Sequence, residues 1–254
     1  MIPVVVRDVK IGEGMPKICV PIVGVTKEDI LAAGKKIVDT ASGDVVEWRV
    51  DWYEDIFNFE KVEETAKELR EVLGDTPILF TFRTSKEGGE KAISNEDYVA
   101  LNQNISKTGY VDLVDVEAFT GDDEVKAIIA VAHECGVKVV ASNHDFHKTP
   151  KKSDIVYRLR KMQDLGADIP KIAVMPQNKK DVITLLAATE EMATNYADCP
   201  IITMSMAGTG VLSRLCGEVF GSALTFGAVG KASAPGQMGA ADLKVVLEKL
   251  HGAL

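Results

Sequence analysis

A strand-then-helix unit recurs eight times along this 254-residue chain, and that repetition constrains the fold more than any other feature. Short apolar runs between breakers read as strands buried on both faces, and segments with apolar residues three and four apart read as helices between them. The strands are expected at Lys17–Val20, Val45–Val50, Ile78–Phe82, Leu113–Val116, Val137–Ser142, Lys171–Met175, Ile201–Met204 and Ala223–Phe226. Helices follow near 26–40, 59–73, 95–108, 123–135, 154–165, 179–196, 211–220 and 240–251. Thr26 caps the first of them, with Glu28 and Asp29 in its first turn as the helix dipole prefers. Pro21 closes the first strand, and Gly166 with Pro170 marks a turn ahead of the sixth. Alternating units of this kind demand a parallel sheet. Eight of them favour an α/β fold closed as a (β/α)8 TIM barrel over an open doubly wound sheet. Val4–Val6 and Lys10–Ile11 form a short β-hairpin in an N-terminal extension over 1–16, and no linker divides the chain, so 1–254 reads as one domain. No GxGxxG follows the first strand and no GxxxxGK[ST] occurs, so the nucleotide-binding folds lack their fingerprints.

A formal net charge of −9, with no run of Lys and Arg among aromatics, argues against a nucleic-acid partner. A small anionic substrate remains open, because local arginines set the field of a cleft whatever the total charge. The four cysteines, Cys19, Cys135, Cys199 and Cys216, are scattered without a CxxC pair and read as reduced thiols of a cytoplasmic protein. No run approaches the length needed to span a bilayer and the start lacks a signal-peptide core, so no membrane partner is expected.

One apolar strand contains a residue that does not belong in an apolar strand. Lys171 opens the run KIAVM, where burying an ammonium is costly unless it is paired or neutralised. Desolvation favours a neutral amine, and a neutral amine attacks ketones and aldehydes to give Schiff bases. The structural alternative is a lysine that snorkels to solvent or pairs with a carboxylate.

In a barrel of this kind the chemistry sits at the carboxyl ends of the strands. The second strand ends in EWRVD, and alternation sets Glu47, Arg49 and Asp51 on one face. The third ends in FTFRTSKEGGE, with Arg83 at the rim and Glu87 in a glycine-containing loop. The fifth delivers His144 in SNHDFH, the seventh carries Met204 with Arg214 beyond it, and the eighth opens into a loop holding Ser233 and Gln237. Each has a plainer reading. Glu47 and Arg49 would serve as a buried ion pair, Arg83 and Glu87 as solvated rim charges, and His144 as a core histidine. His144 with His147 would make at most a thin metal shell, since the chain has four histidines and no HExxH. As a set, an amine and an imidazole on neighbouring strands among arginines and carboxylates are the equipment of Schiff-base proton transfer.

At these residues the sequence closely resembles the type I 3-dehydroquinate dehydratases. The motifs EWRVD, FTFRTSKEGGE, SNHDFHKTP, LGADIPKIAVMP, ITMSMAG, EVFGSALTFGAV and ASAPGQ stand in the family's order and spacing, over essentially the whole chain. The resemblance implies a (β/α)8 barrel that is a homodimer, with no metal and no organic cofactor, converting 3-dehydroquinate to 3-dehydroshikimate. Position by position it makes Lys171 the Schiff-base lysine and His144 the general acid and base, with Glu87 beside it. It places Glu47, Arg49 and Arg83 around the ring hydroxyls, Met204 as an apolar wall, and Arg214, Ser233 and Gln237 around the substrate carboxylate. The last two stand on a closing loop from Gly230 to Gly239. Pro21 departs from the pattern, standing where several relatives have serine, and removes a hydroxyl that would otherwise reach substrate. A class I aldolase acting on a phosphorylated sugar is the alternative enzyme, and a silent ligand-binding barrel the alternative outside catalysis.

Overall fold

The computed structural model describes residues 2–230, 233–234 and 236–254. A hairpin of β1 (Val4–Val6) and antiparallel β2 (Val9–Ile11) precedes the barrel. Eight strands then form the wall: β3 (Lys17–Ile22), β4 (Val45–Arg49), β5 (Ile78–Thr81), β6 (Leu113–Glu117), β7 (Lys138–Asp145), β8 (Ile169–Val174), β9 (Ile202–Ser205) and β10 (Leu224–Ala228). A two-residue strand, β11 (Met238–Gly239), adds to the outer edge of β10 and was not expected from its sequence. Every pairing within this nine-stranded sheet is parallel. Closure comes where β9 meets β10: Ile201 bridges Ser222, the Ala223 N–H donates to Ile201 O at 2.8 Å, and the Thr203 N–H donates to Ser222 Oγ at 3.0 Å.

The helices are α1 (Lys27–Thr40), α2 (Phe59–Leu73), α3 (Asn95–Lys107), α4 (Asp122–Glu134), α5 (Lys152–Asp164), α6 (Lys179–Asn195), α7 (Val211–Leu215), α8 (Gly217–Phe220) and α9 (Ala240–His251). α1 opens on a reciprocal cap in which Thr26 Oγ1 accepts the Asp29 N–H and Asp29 accepts the Thr26 N–H. The single helix expected over 211–220 is two pieces, because Cys216 leaves the helical range at φ −101° and ψ 21°. The break steers the chain back to Ser222 and the closing bridge.

Strand alternation sorts the wall into two faces. Outward-facing Trp48, Phe80, Phe82, Val114 and Val116 are buried under the helices, each worth about 1.5–3 kcal/mol relative to exposure. Inward-facing Cys19, Val45, Leu79, Leu113, Val140, Ile169, Ile202 and Leu224, one from each barrel strand, make an apolar floor. Val4, Val6 and Ile11 of the hairpin pack into the same cluster, so the hairpin covers the amino-terminal mouth. Two residues further along each strand stand Pro21, Glu47, Thr81, Asp115, Ser142, Lys171, Met204 and Phe226. Polar chemistry therefore begins one step above the floor and faces the carboxyl end.

Two prolines depart from expectation. Pro21 and Pro170 lie inside β3 and β8 rather than ending them. Each stands where its strand is paired on one side only: β3 has left β10 beyond Cys19, and β8 meets β9 from Lys171 onward. That is where a residue without an N–H is tolerated. β7 runs to Asp145, which puts His144 within the ladder opposite Ala173 rather than in the loop that follows.

Candidate active site

One cavity of about 170 Å³ opens at the carboxyl end of the barrel. Glu47, Arg49, Arg83, Glu87, His144, Lys171, Met204, Arg214, Ser233 and Gln237 all line it, so the ten residues that the family resemblance assigns to the site are brought to one place, while Pro21, Asp51 and His147 do not line it. A larger groove of about 680 Å³ adjoins it through Glu87 and His144, but Lys171 does not reach that groove. The loop expected to close over the site includes Lys231, Ala232 and Pro235, which lie outside the described residues.

Lys171 is 3 % exposed. Its Nζ lies 3.0 Å from Asp115 Oδ2 and 3.6 Å from Glu47 Oε1, and 4.7 Å from the centre of the Phe226 ring. The buried lysine thus has the carboxylate partners that burial demands, and it is still the lysine that lines the cavity among the described residues. Asp115 also accepts from Arg83 Nη2 at 2.8 Å and from Ser142 Oγ at 2.6 Å. Burial alone would push the Asp115 carboxyl up, but Arg83 and then Lys171 outweigh it and hold the group below the usual carboxylate range.

Arg83 is no rim charge. It is 4 % exposed, with Nη1 donating to Glu117 Oε1 at 3.1 Å and to Ser142 Oγ at 2.9 Å. Burial disfavours its charge, but Asp115, Glu117 and Glu87 more than compensate and keep the guanidinium firmly protonated. The loop after it folds back tightly: a Cβ at Gly89 would sit 1.8 Å from Arg83 O, so glycine is required there. Arg49 forks onto Asp51, Nε to Oδ1 and Nη2 to Oδ2, both at 2.8 Å. Glu47 is therefore not its partner; Glu47 instead accepts from Thr81 Oγ1 at 3.1 Å and faces Lys171.

His144 directs Nδ1 at Glu87 Oε2, 2.9 Å away, and its backbone N–H donates to the same oxygen at 2.9 Å. A carboxylate facing Nδ1 assigns the ring proton to that nitrogen and leaves Nε2 as the basic site. Burial, then the charges of Arg83 and Lys171, push His144 well below the usual imidazole value, against a weaker pull from Asp115. Its imidazole is neutral at pH 7 and able to take a proton. Burial lifts Glu87 to about 7, against the pull of Arg83 and with a further push from Glu117.

Arg214, on α7, is 2 % exposed, and its Nη1 lies 3.6 Å from Met204 Sδ. Burial pulls the guanidinium down to about 10. Ser233 and Gln237 hold each other: the Ser233 N–H donates to Gln237 Oε1 and Gln237 Nε2 donates to Ser233 Oγ, both at 3.0 Å. Gly236 lies between them at φ +80°, where a Cβ would stand 2.4 Å from Ala207 O of the preceding loop. Both the left-handed backbone and the close approach require glycine at this point.

Asp115, Glu117, Ser142 and Phe226 belong to this site and were not singled out in the sequence. Asp115 and Glu117 stand in LVDVE, where acidic residues interrupt an apolar strand just as Lys171 interrupts its own, so the same signal was present. The pairing of His144 with His147 as metal ligands finds no support in geometry, since no cluster of three or more metal-ligating side chains exists among the described residues.

Asp115→Asn is expected to destabilise the fold by about 3–5 kcal/mol at pH 7, because it leaves buried cations under-compensated. A carboxyl whose folded value is depressed contributes stability above its ordinary value of 3.8 and loses it as pH falls further. The difference between wild type and variant in urea unfolding should therefore shrink below about pH 4.

The described site sits on a chain with many close relatives. The model of the type I 3-dehydroquinase family matches residues 18–253. The chain is 57 % identical over 249 residues to the 3-dehydroquinate dehydratase of Clostridioides difficile (strain 630), covering 98 % of this chain and 97 % of that one. It is 58 % identical over 250 residues to the enzyme of that name from Salmonella agona (strain SL483), covering 98 % and 99 %. A crystal structure of the type I 3-dehydroquinate dehydratase from Clostridium difficile with covalent modified comenic acid covers 100 % of both chains at 57 % identity, with a TM-score of 0.97. The solved structure of 3-dehydroquinate dehydratase from Enterococcus faecalis is 48 % identical and gives a TM-score of 0.91, covering 97 % of this chain and 99 % of that one. With a family match across the barrel and such identity at full length, this chain belongs to the type I 3-dehydroquinase family.

Proposed function

We propose that the protein dehydrates 3-dehydroquinate to 3-dehydroshikimate through a Schiff base on Lys171. The observation that carries this reading is the meeting of Lys171 and His144 in one small cavity, on paired strands β8 and β7, among three arginines. The Lys171 amine adds to the ring ketone, and the carbinolamine loses its hydroxyl as water to give a protonated imine. That cation draws electrons from the neighbouring C–H bond, and His144 Nε2 takes the proton as the C–H pair becomes the C=C of an enamine. The enamine nitrogen re-forms the C=N bond, the C=C pair shifts to make a new double bond to the β-carbon as its C–O bond breaks, and His144 gives its proton to the departing oxygen. Addition and loss on one imidazole make the elimination syn. A water molecule then hydrolyses the imine, releasing the unsaturated ketone and restoring the amine.

Glu87 holds Nδ1–H and compensates the imidazolium while it exists. Glu47, Asp115 and Arg83 order the amine and the ring hydroxyls. Arg214 offers a planar fork that suits a fixed carboxylate. Ser233 and Gln237 complete that end of the cavity. A sugar-phosphate aldolase would need a phosphate cradle after β9 and β10, where this chain presents Arg214, Ser233 and Gln237. The test is formation of the conjugated enone from 3-dehydroquinate, followed by ultraviolet absorbance, against retro-aldol cleavage of sugar phosphates. Dehydration without retro-aldol turnover is the expected result; the reverse overturns the reading.

Gln237→Ala is expected to raise KM with little change in kcat, the signature of binding lost equally from ground and transition states. Steady-state kinetics on 3-dehydroquinate check it, and a fall in kcat at unchanged KM would contradict the binding role given to Gln237.

The cellular setting follows the same reading. No helix among the described residues is long and apolar enough to cross a membrane, and the four cysteines are free thiols. We propose a cytoplasmic location from the reading of the scattered cysteines as reduced thiols. We also propose a homodimer, as the family resemblance implies, and a single folding domain over 1–254, supported by the hairpin residues packed into the barrel floor.

A further inference from the structure

The imidazole of His144 is the inner end of a longer chain of side chains. Glu87 Oε2 engages His144 twice, while Glu87 Oε1 accepts Asn143 Nδ2–H at 2.9 Å. Asn143 in turn accepts through Oδ1 from Arg158 Nη1 at 2.8 Å. Asn143 follows Ser142 on β7 and so has the opposite facing to His144; Arg158 stands on α5, half-buried, its guanidinium 5.9 Å from the centre of the Phe119 ring. No step of the reaction proposed above uses either residue.

The geometry points to Asn143 and Arg158 as positioning residues for His144, with Arg158 setting the orientation of the Asn143 amide and Asn143 setting Glu87. A guanidinium can only donate. Beside it, Asn143 must present oxygen, which leaves its nitrogen for Glu87. The flipped amide would set donor against donor at Arg158 and oxygen against carboxylate at Glu87. Held at both oxygens by N–H donors, Glu87 keeps one orientation, and that orientation keeps Nδ1 of His144 protonated and Nε2 basic. Acting through another group in this way is how outer partners tune a catalytic histidine.

Three charged or titratable groups face Glu87 besides the Asn143 amide. Arg83 Nη1, from the end of β5, lies 3.8 Å away and favours the carboxylate; Glu117 of β6 disfavours it; His144 of β7 shares the hydrogen bond. The Asn143 N–H tips this balance toward the carboxylate. Without it, Glu87 binds its proton at higher pH and loses its capacity to accept from Nδ1–H.

The inference rests on the proposed role of His144 as base, and the experiment separates the two. Asn143→Ala and Arg158→Ala are expected to lower kcat by about 10–100-fold, the cost typical of losing such an outer partner. The acid limb of the kcat–pH profile should move to higher pH in both. Borohydride trapping of 3-dehydroquinate on Lys171 and the Tm should stay close to wild type, and Arg158→Lys, which still donates, should recover part of the loss. Variants that turn over with wild-type kcat and pH profile beside an active wild type overturn the positioning chain alone. So does a loss of turnover that tracks a fall in Tm, with no shift in profile and no recovery in Arg158→Lys. A wild type that neither traps nor dehydrates 3-dehydroquinate overturns the function and the chain together.

Discussion

Replacing Lys171 by alanine is expected to abolish imine formation and reduce dehydration to background. The amine is the nucleophile that attacks the ketone, and without it no cationic electron sink forms to acidify the neighbouring C–H bond. The fold should survive. Asp115 keeps its contacts to Arg83 and Ser142, and Glu47 keeps Thr81, so neither carboxylate is left without a donor. Circular dichroism and a thermal melt of the variant, beside turnover of 3-dehydroquinate, measure both halves of the statement. A folded variant that retains substantial turnover would remove Lys171 from the mechanism.

Replacing His144 by alanine separates binding chemistry from proton transfer. Attack on the ketone needs the Lys171 amine, whereas loss of the neighbouring proton needs a base beside that carbon. The variant should still form a covalent adduct and yet turn over slowly. A positioned general acid–base is worth about 10²–10⁴-fold, and the upper end is expected because one imidazole serves both proton removal and the departure of water. If the same group also assists imine hydrolysis, the adduct accumulates and is visible by intact-protein mass spectrometry without a reductant. A merely structural histidine predicts a lowered Tm with near-normal turnover per folded molecule. A stable variant dehydrating at close to the wild-type rate would falsify the catalytic assignment.

The barrel was legible because its signal is repetitive: apolar runs of strand length alternate with helical periodicity, and each misplacement is local. Pro21 and Pro170 looked like strand ends because a proline breaks a ladder, and only the register shows that each lies where a neighbouring strand is absent. The helix over 211–220 reads as continuous because its one breaker, Gly217, is tolerated within a helical pattern, yet the chain turns at Cys216 just before it. Within the site, residues at strand ends were found by position, Lys171 by its misfit in an apolar run. Asp115 carries the same misfit in LVDVE, and it supplies the carboxylate nearest the lysine amine. Partners were harder to read than members. Glu47 and Arg49, two residues apart on one face, have an ion pair as their plainer reading, yet the turn over Val50–Trp52 brings Asp51 round to meet the guanidinium on both oxygens. Such choices depend on side-chain reach and local turns, which strand periodicity does not encode.

The most direct test of the account is chemical. Wild-type protein is treated with borohydride in the presence of 3-dehydroquinate, digested, and its peptides mapped by mass. The account predicts one reduced adduct, on Lys171, in the peptide that contains IAVMP. An adduct on another lysine would contradict it. Lys91 is the instructive rival, since burial lowers its proton affinity, but its Nζ donates to Asp51 O at 2.9 Å and Tyr53 O at 2.6 Å and it does not line the cavity. Trapping on Lys91, or on Lys86, or no trapping at all from protein that is folded and active, would show that the Lys171 amine is not the nucleophile.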